Sequence, residues 1–418
     1  MAAISFNVEA KDPKTKARVG VIRTPHGEIQ TPSFVTVGTL ASVRTLTPNE
    51  IRDAGSQVVL ANTYHLYLEG RHEVISASGG LAKFMGWNGP TITDSGGYQV
   101  FSMGFGSDHG IGKNVPFFPG RLAGEPRLMA GADVPPDLSK SEIESPKNLK
   151  ITDDGVSFRS PRNGDMLELT PEISVAVQEK IGADMFFAFD ECTSPLSSYE
   201  YTQKAVDLTS KWARRCIEAK TRNNQALFGV IQGGVWQDLR QKAVREISAL
   251  PFDGFGLGGP VGISKNDIKK VVGWMTDSLP DEKPRHLLGM GSPKELIDVI
   301  GEGVDLFDCV VPTREARNGT IYTKTGKLHI ANAEYRTDFS PLEDGCACYT
   351  CRNFTRAYVH HLFRAGELLA KRLATIHNLF FINGLVRRAR EAIVAGVFEA
   401  FRLDFAESGG YTDEDKET

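Results

Sequence analysis

The sequence contains no long apolar run and few cysteines. No apolar run approaches the roughly 18 residues that a membrane-spanning helix requires, so we expect no membrane association. The start, Met1 to Val8, has no basic segment followed by an apolar one, so we expect no secretory signal. Six cysteines among 418 residues are too few for a disulfide scaffold. Three of them cluster, which predicts a metal site in a protein of the reducing cytoplasm.

The composition is that of a globular protein with little excess charge. Hydrophobic residues make up 41% of the chain and charged residues 24%, and the net charge is −4. The length fits two or three domains, or one large α/β barrel with additions. Residues 314 to 390 hold 13 Lys or Arg and 6 Asp or Glu. This local excess indicates either a phosphate-bearing partner or a solvated helical surface.

Eight short apolar or β-branched segments recur along the chain, mostly separated by segments with helical spacing of apolar residues. The eight predicted strands are Ser33–Val37, Gln57–Leu60, Thr91–Thr93, Met185–Phe189, Leu227–Ile231, Gly254–Leu257, His286–Leu288 and Leu306–Val311. The predicted helices between them are Pro171–Gly182, Tyr201–Thr221, Gln237–Ala249, Lys265–Ser278 and Pro293–Gly303. This alternation predicts an α/β fold with a parallel sheet, and eight units favour a closed (β/α)8 TIM barrel. An open, doubly wound sheet is the alternative, but residues 38–42 do not match the GxGxxG turn expected after its first strand.

Polar residues and glycines follow most of these strands directly. They include Asn62, Asp94, Asp190, Gln232, Gly259 and Gly289. Active sites of (β/α)8 barrels lie at the C-terminal ends of the strands. We therefore expect the active site at that face.

Three segments complete the predicted organisation. Residues 1–320 form the catalytic barrel, and 321–405 form a zinc-binding subdomain with C-terminal helices that close the barrel. Residues 105–151, rich in Pro, Gly and Lys, interrupt the pattern as an insertion, either a lid or, as we favour, a surface loop. The acidic segment 406–418 is expected to be a flexible tail.

The apolar segment 306–311 carries one carboxylate, Asp308, and Pro312 follows it. A buried carboxylate is costly unless it is paired or used for chemistry, so we interpret Asp308 as a nucleophile that points into a cleft. Arg314 and Arg317 add positive charge at the edge of this cleft. They are expected to hold a polyanion, with simple surface charges as the alternative.

Two further strand-end acids extend this hypothesis. Asp94 and Asp308 across a cleft would suit displacement at a glycosidic carbon, where one acid attacks covalently and the other moves protons. Asp190 would lie beside Gln232 and Gly259 in a closed barrel, an arrangement suited to the edge of a heterocyclic base. The alternatives are a helix N-cap for Asp94 and an ion pair for Asp190.

The motif C-x-C-x2-C at Cys346, Cys348 and Cys351 predicts a zinc site. Tetrahedral zinc takes four ligands, and three thiolates indicate a closed, structural site with a histidine as the fourth. Spacing leaves three candidates, which are His360, His361 and His377. Three buried free cysteines are the alternative.

These motifs together resemble those of the tRNA-guanine transglycosylases. The matching segments are Asn62–Leu66, Thr93–Gln99, Phe189–Cys192, Ile231–Gly234, Phe307–Val310, Pro312–Arg314, Arg317–Gly319 and the C-x-C-x2-C…His pattern. The resemblance implies a barrel enzyme with a zinc-binding subdomain, acting as a homodimer without a redox cofactor or nucleoside triphosphate. Such an enzyme exchanges guanine for a 7-deazaguanine base at the wobble position of tRNAs for Asp, Asn, His and Tyr, whose anticodons begin G-U.

The resemblance also implies residue roles. Asp308 would be the nucleophile on the ribose anomeric carbon, and Asp94 the general acid/base. The other implied roles are base stacking by Tyr98, base-edge recognition by Asp190, Gln232 and the Gly259 backbone, pocket lining by Leu288 and Gly289, support by Asn62, Gln99 and Cys192, binding of the anticodon loop by Arg314 and Arg317, and ligation of one zinc ion per subunit by Cys346, Cys348, Cys351 and His377.

Three residues bear on which branch of the family the chain follows. Gly262 stands where the bacterial pattern has a valine near the 7-substituent, and the queuine-using eukaryotic branch also has glycine there. Cys192 is typical of the bacterial branch, and Ala316 replaces a bacterial glycine, which could stiffen the arginine loop. We hypothesise that Gly262 enlarges the pocket enough to admit queuine as well as, or instead of, 7-aminomethyl-7-deazaguanine.

Two other functions are alternatives to the enzyme that the resemblance implies. A non-catalytic RNA-binding paralogue would keep the fold without the chemistry, but Asp94 and Asp308 are both retained. A zinc-dependent barrel hydrolase would spread its His and Asp ligands over strand ends, whereas here the candidate ligands cluster late in the chain.

Overall fold

The computed structural model describes residues 3–101, 149–160, 163–194, 197–259, 267–407 and 411. Eight of the described strands form a closed barrel, in which they follow one another in chain order. They are Ser33–Val37, Val59–Ala61, Thr91–Thr93, Met185–Phe187, Ala226–Ile231, Gly254–Leu257, Arg285–Leu287 and Leu306–Cys309. The last strand pairs in parallel with the first, with Asp308 opposite Val35. The predicted α/β barrel is confirmed.

The described helices include all five that the sequence predicts, with ends shifted by up to three residues. The helices are Pro48–Asp53, Thr63–Tyr67, Arg71–Ala77, Leu81–Met85, Pro171–Ile181, Tyr199–Ala219, Gln237–Ser248, Ile268–Thr276, Pro293–Gly301, Val311–Arg317, Tyr349–Asn353, Arg356–Ala365, Leu368–Val394 and Phe398–Glu407, with 3-10 turns at Leu68–Gly70 and Ala333–Thr337. None of the described helices is long and apolar enough to cross a membrane.

Local sequence explains where these helices begin and end. The side chain of Thr170 accepts a hydrogen bond from the Ile173 N–H, and Pro171 occupies the first turn, where its missing donor costs nothing. Gly182 ends the same helix in the left-handed region, with φ of 72°. Such caps fix the exit of each helix toward the next strand.

The contacts divide the chain into two compact units. One comprises Met1–Ile4, Asn62–Leu81 and Ile92–His286, and the other comprises Ser5–Ala61, Ala82–Thr91 and Leu287–Thr418. The predicted division near residue 320 stays a prediction.

Each unit has its own core. In the first, every residue of the strand Ala226–Ile231 is buried, and the ring of Phe189 stacks on Trp212 with centroids 4.9 Å apart. In the second, helix Leu368–Val394 buries more than half of its residues. The second unit also contains a buried ion pair at 2.6 Å between Arg18 and Asp305.

Among the residues that the structure describes, three small antiparallel sheets lie outside the barrel, and the sequence analysis missed them. Their strands are Ser5–Lys11, Arg18–Thr24 and Gly27–Thr31; Leu149–Ile151, Val156–Arg159 and Met166–Leu169; and Thr320–Thr323 with Gly326–His329. Leu149–Ile151 was assigned to the insertion, but it pairs with Val156–Arg159. The rest of the predicted insertion from residue 105 onward, and Gly262, lie outside the described residues.

Several predicted strand ends shift by one or two residues, as at Val59 and Phe187, and two further boundaries change the interpretation. The strand with Asp308 ends at Cys309 rather than Val311, because a helix begins at Val311 with Pro312 in its first turn. The predicted tail also begins too early, since the last helix runs through Glu407.

Tyr411 is described and buried, although it falls in the predicted flexible tail. Its hydroxyl donates to the carbonyl of Thr323 at 2.9 Å, and its ring stacks on Phe405. These contacts anchor the chain at this residue. Residues 408–410 and 412–418 lie outside the described part of the chain.

Candidate active site and metal centre

Asp94 directly follows the strand Thr91–Thr93, and neighbouring donors orient its carboxylate. The Thr63 N–H donates to Oδ1 at 2.8 Å, the Gln99 amide donates to Oδ2 at 3.1 Å, and the Asn62 amide also donates to Oδ2. Asn62 caps helix Thr63–Tyr67 through the His65 N–H, which fixes its amide for this contact. Asp94 remains partly exposed, so its carboxylate is both oriented and reachable.

Asp190 forms a second, buried polar cluster in the same unit. The Ser95 hydroxyl donates to Oδ1 at 2.8 Å, and the Gln232 amide donates to Oδ2 at 2.6 Å. Burial raises the pKa of Asp190, while these two hydrogen bonds favour its charged form. A Cβ at Gly97 would lie 2.6 Å from the Asp190 carbonyl, so the loop after Asp94 needs glycine to pack against this cluster.

Gln232 and Gly259 lie in close contact. The Gln232 Oε1 atom is buried and has no hydrogen-bond partner among the described residues. Gly259 has φ of +72°, and a Cβ there would lie 2.3 Å from this oxygen. The Gln232 amide therefore presents both a donor and an acceptor beside a carboxylate, as recognition of a base edge requires.

Arg240 connects the loops that follow two of these strands. Its Nη1 donates to the carbonyls of Ile231 and Gly258, at 3.0 and 2.7 Å, and its Nε donates to Gly234 at 2.8 Å. The side chain is fully buried, and burial lowers its pKa to about 9. Sequence analysis missed this residue, because one arginine on an amphipathic helix carries no signal of its contacts.

Cys192 follows Asp190 by two residues in sequence, and Tyr98 follows Asp94 by four. Burial raises the pKa of the Cys192 thiol to about 12, so it is not a thiolate nucleophile at neutral pH. Tyr98 is 47% exposed. Ser95 was also missed as a site residue, although its place next to Asp94 was a usable signal.

Asp308 lies in the second unit, in the strand Leu306–Cys309, and is partly exposed. The arginines beyond it lie on helix Val311–Arg317, where Arg314 is exposed and Arg317 is half-buried. Burial, Arg44 and Arg314 together lower the pKa of Arg317. Arg44 is thus a third guanidinium of this positive patch, which sequence analysis missed because it lies some 270 residues earlier.

Leu288 and Gly289 follow the strand Arg285–Leu287. Leu288 is partly exposed, while Gly289 is exposed with φ of +78°. A turn of this shape favours glycine, which explains the residue without any ligand.

Cys346, Cys348, Cys351 and His377 converge on one point. Their ligand atoms all lie within 4.8 Å of one another. The His377 Nδ1 lies 3.3, 3.5 and 3.8 Å from the sulfurs of Cys351, Cys348 and Cys346. A tetrahedral zinc ion would separate sulfur from nitrogen by about 3.5 Å, so the group fits this metal.

The structure also selects among the candidate histidines. The Nδ1 atom of His360 lies 2.9 Å from the carbonyl oxygen of Ile330, and His361 is exposed. His377 is buried on helix Leu368–Val394, and its Nε2 lies 2.7 Å from the carbonyl of Tyr322. A carbonyl accepts, so Nε2 carries the proton and Nδ1 presents its lone pair to the metal.

The fold and these clusters define an α/β-barrel protein with carboxylates at strand ends and a cysteine-rich metal centre. Residues 12–128 and 136–410 match the family described as queuine tRNA-ribosyltransferase. A queuine tRNA-ribosyltransferase of Thermoanaerobacter pseudethanolicus is 43% identical over 416 residues, which cover 99% of this chain and all of that relative. One of Pelotomaculum thermopropionicum is 45% identical over 404 residues, covering 96% and 98% of the two chains.

A protein of Archaeoglobus fulgidus, described as a putative queuine tRNA-ribosyltransferase, is 44% identical over 400 residues, covering 93% and 96%. The chain belongs to the queuine tRNA-ribosyltransferase family. This confirms the resemblance to tRNA-guanine transglycosylases and the assignment as a glycosyltransferase. The family match leaves only residues 129–135 of the predicted insertion 105–151 unmatched.

Proposed function

We propose that the protein exchanges the wobble guanine of tRNAs with G-U-N anticodons for a 7-deazaguanine base, in the cytoplasm. The observation that carries this proposal is the buried cluster of Asp190, Ser95 and Gln232 beside the oriented carboxylate of Asp94. A guanine edge offers N–H donors to a carboxylate and a carbonyl acceptor to an amide. The exposed ring of Tyr98 provides a surface on which a splayed-out base can stack.

The reaction is a double displacement. A carboxylate oxygen of Asp308 attacks the anomeric carbon of the ribose, the glycosidic bond to guanine breaks, and Asp94 gives a proton to the leaving base. The incoming base then returns a proton to Asp94 while its ring nitrogen attacks the same carbon. The bond from the carbon to Asp308 breaks, and the carboxylate is restored.

Two features of the chain support these roles. Asp94 follows one barrel strand and Asp308 lies in the last, and catalytic residues of such barrels come from the ends of several strands. The amides of Asn62 and Gln99 leave the carboxylate of Asp94 little freedom to turn, as proton transfer requires.

The positive patch of Arg44, Arg314 and Arg317 is proposed to bind the anticodon loop. Arg44 and Arg314 lie close enough to Arg317 to lower its pKa, and such clustered positive charge is costly without an anion, which RNA phosphates supply. Leu288 and Gly289 are proposed to line the base pocket.

The Cys346, Cys348, Cys351 and His377 group is proposed to hold one structural zinc ion per subunit. Zinc there would tie the loop of cysteines to helix Leu368–Val394, and it takes no part in the exchange. A homodimer is proposed from the family resemblance.

The identity of the incoming base is proposed from Gly262 and Cys192. A glycine near the 7-substituent would leave room for queuine as well as 7-aminomethyl-7-deazaguanine. Competitive incorporation of the two bases into one tRNA tests this, and strong preference for the smaller base would refute it.

The covalent intermediate is tested with Asp308→Asn. Wild-type protein incubated with a G-U-N anticodon tRNA should give a protein–RNA adduct that survives denaturation, and Asp308→Asn should give none. Asp53→Asn, at an exposed carboxylate, is the matched control and should behave as wild type. No adduct in wild type would contradict the proposal and favour the non-catalytic paralogue, and an adduct in Asp308→Asn would refute Asp308 as the nucleophile.

Exchange of labelled guanine in the presence of chelator distinguishes the proposed enzyme from the remaining alternative, a zinc-dependent hydrolase. A zinc-dependent hydrolase would lose activity while it stays folded. The proposed enzyme should lose activity only in step with unfolding, as followed by circular dichroism.

A further inference from the structure

Two neighbouring residues of helix Leu368–Val394 make buried polar contacts with different partners in the second unit. His377 belongs to the metal group, and Asn378 follows it directly. Both side chains are fully buried. A buried amide costs free energy unless its donors and acceptor are satisfied, so the contacts of Asn378 indicate what it holds.

Asn378 uses its whole amide on the backbone of other segments. Its Oδ1 accepts from the Tyr322 N–H at 3.0 Å, and its Nδ2 donates to the carbonyls of Thr320 and Pro312, at 3.0 and 3.1 Å. His377 reaches the same stretch through the Tyr322 carbonyl. Two consecutive residues of one helix thus bind the backbone of Tyr322, Asn378 through its N–H and His377 through its carbonyl.

Pro312 connects this network to the positive patch. It lies in the first turn of helix Val311–Arg317, which carries Arg314 and Arg317 and begins two residues after the strand of Asp308. The chain therefore has an unbroken hydrogen-bonded path from the metal ligand through Tyr322 and Asn378 to this helix. Each link is between buried groups, where hydrogen bonds are strong and costly to break.

We propose that Asn378 is a positioning residue that couples the metal centre to helix Val311–Arg317. When the metal is bound, His377 is fixed, and with it the segment that Asn378 holds against the Pro312 carbonyl. The arginine patch is then presented to RNA in one arrangement. The coupling itself is a property of the fold, whereas RNA as its ligand rests on the proposed function.

A thermodynamic cycle tests the coupling. The probe is a synthetic G-U-N anticodon stem–loop, whose dissociation constant is measured for zinc-loaded protein and for protein stripped with chelator. In wild type we expect zinc removal to weaken binding by roughly 10-fold or more, within the 5- to 150-fold range of typical couplings. In Asn378→Ala we expect weaker binding with zinc present and little further loss on its removal. A loss of RNA binding on zinc removal that is equally large in both proteins would overturn the proposal.

The same helix supplies a matched control. Asn383 is a half-buried asparagine, and its amide donates to the Ala54 carbonyl and the Ser56 hydroxyl. Asn383→Ala therefore removes two hydrogen bonds to backbone and side chain of another segment, where Asn378→Ala removes three. We expect it to keep the wild-type ratio, which separates coupling from a general loss of stability.

Hydrogen exchange provides a readout that needs neither RNA nor stripped protein. In zinc-loaded Asn378→Ala, with metal content confirmed, the amides of residues 313–319 should exchange faster than in wild type, and in Asn383→Ala they should not. Unchanged exchange in Asn378→Ala would overturn the coupling. Faster exchange without any change in RNA binding would uphold the coupling and contradict the proposed RNA site.

Discussion

At the scale of single residues, the acid next to Asp190 has unusual properties. Glu191 is buried, and burial raises its pKa from 4.5 to about 7, although the Tyr201 hydroxyl bonds to its carboxylate and opposes this shift. The charge of Asp190 adds to the rise. The folded protein therefore binds a proton here more tightly than the unfolded chain does.

Glu191→Gln should change how stability depends on pH. The pKa of Glu191 is higher in the folded state than in the unfolded chain. Its burial therefore does not reduce the free energy of unfolding below pH 4.5, but the free energy of unfolding falls as the pH rises from there through 7. The full cost is about 3 kcal/mol above that range. In urea unfolding between pH 5 and 8.5, the free energy of unfolding of the variant should increase relative to that of wild type as pH rises. The exposed control Glu218→Gln should track wild type, and parallel curves for all three would refute the assignment.

Gly259→Ala should weaken binding of the base. The added Cβ would collide with the Gln232 Oε1 atom, and φ of +72° adds strain. We expect KM for guanine to rise about 10-fold, or about 1.4 kcal/mol. Gly164→Ala is the control, because Gly164 has φ of +78° with nothing within 4 Å of its Cβ position. An unchanged KM in Gly259→Ala would argue against a role in base recognition.

The sequence and the family resemblance revealed the acids of the site and several of their partners, which are Asn62 and Gln99 for Asp94 and Gln232 for Asp190. Asp94 and Asp308 were found because each interrupts or ends an apolar segment. Arg44 and Arg240 were missed because nothing in the sequence around them shows which residues they contact, whereas Ser95 could have been found from its place next to Asp94.

At the scale of elements, the loops after two barrel strands are held by one side chain of helix Gln237–Ser248. The three carbonyls that Arg240 binds belong to segments before and after the helix in sequence. Such a clamp sets the positions of Gln232 and Gly259 relative to each other.

Arg240→Met should therefore affect both stability and recognition. It keeps much of the side-chain volume but leaves three carbonyls without their donor, which should cost about 2–4 kcal/mol. Urea unfolding gives the stability, and exchange kinetics should show KM for guanine rising more than kcat falls. Arg245→Met, at an exposed position of the same helix, should change neither. A loss of stability with KM unchanged would reduce Arg240 to a structural residue.

Element positions were largely predictable, while element ends were not. All eight barrel strands were identified because buried parallel strands are short apolar runs between helices. The strand of Asp308 was drawn too long, because Val310 and Val311 are apolar but precede a proline that starts a helix.

At the scale of the whole molecule, the metal centre should contribute to folding. Its four candidate ligands come from the segment before helix Tyr349–Asn353, from that helix and from helix Leu368–Val394, so the unfolded chain cannot present them together. Chelator should lower the Tm of wild type by several degrees. It should have little effect on Cys351→Ser, which starts from a lower Tm. Cys216→Ser, at a buried cysteine outside the group, should remain sensitive to chelator. Equal shifts in all three proteins would contradict a structural metal.

Local patterns in the sequence predicted the barrel, the strand-end acids and the cysteine cluster. These follow from local periodicity and from short motifs, which depend on residues close together in the chain. Spacing alone left three candidate histidines, and the tertiary structure places His377, the one that the family resemblance implies, beside the cysteines. It also joins Arg44 to the arginine patch and gives Arg240 and Asn378 their partners. Those partners lie on other segments, from six to some 270 residues away, so no local pattern encodes them and only the packed chain brings them together.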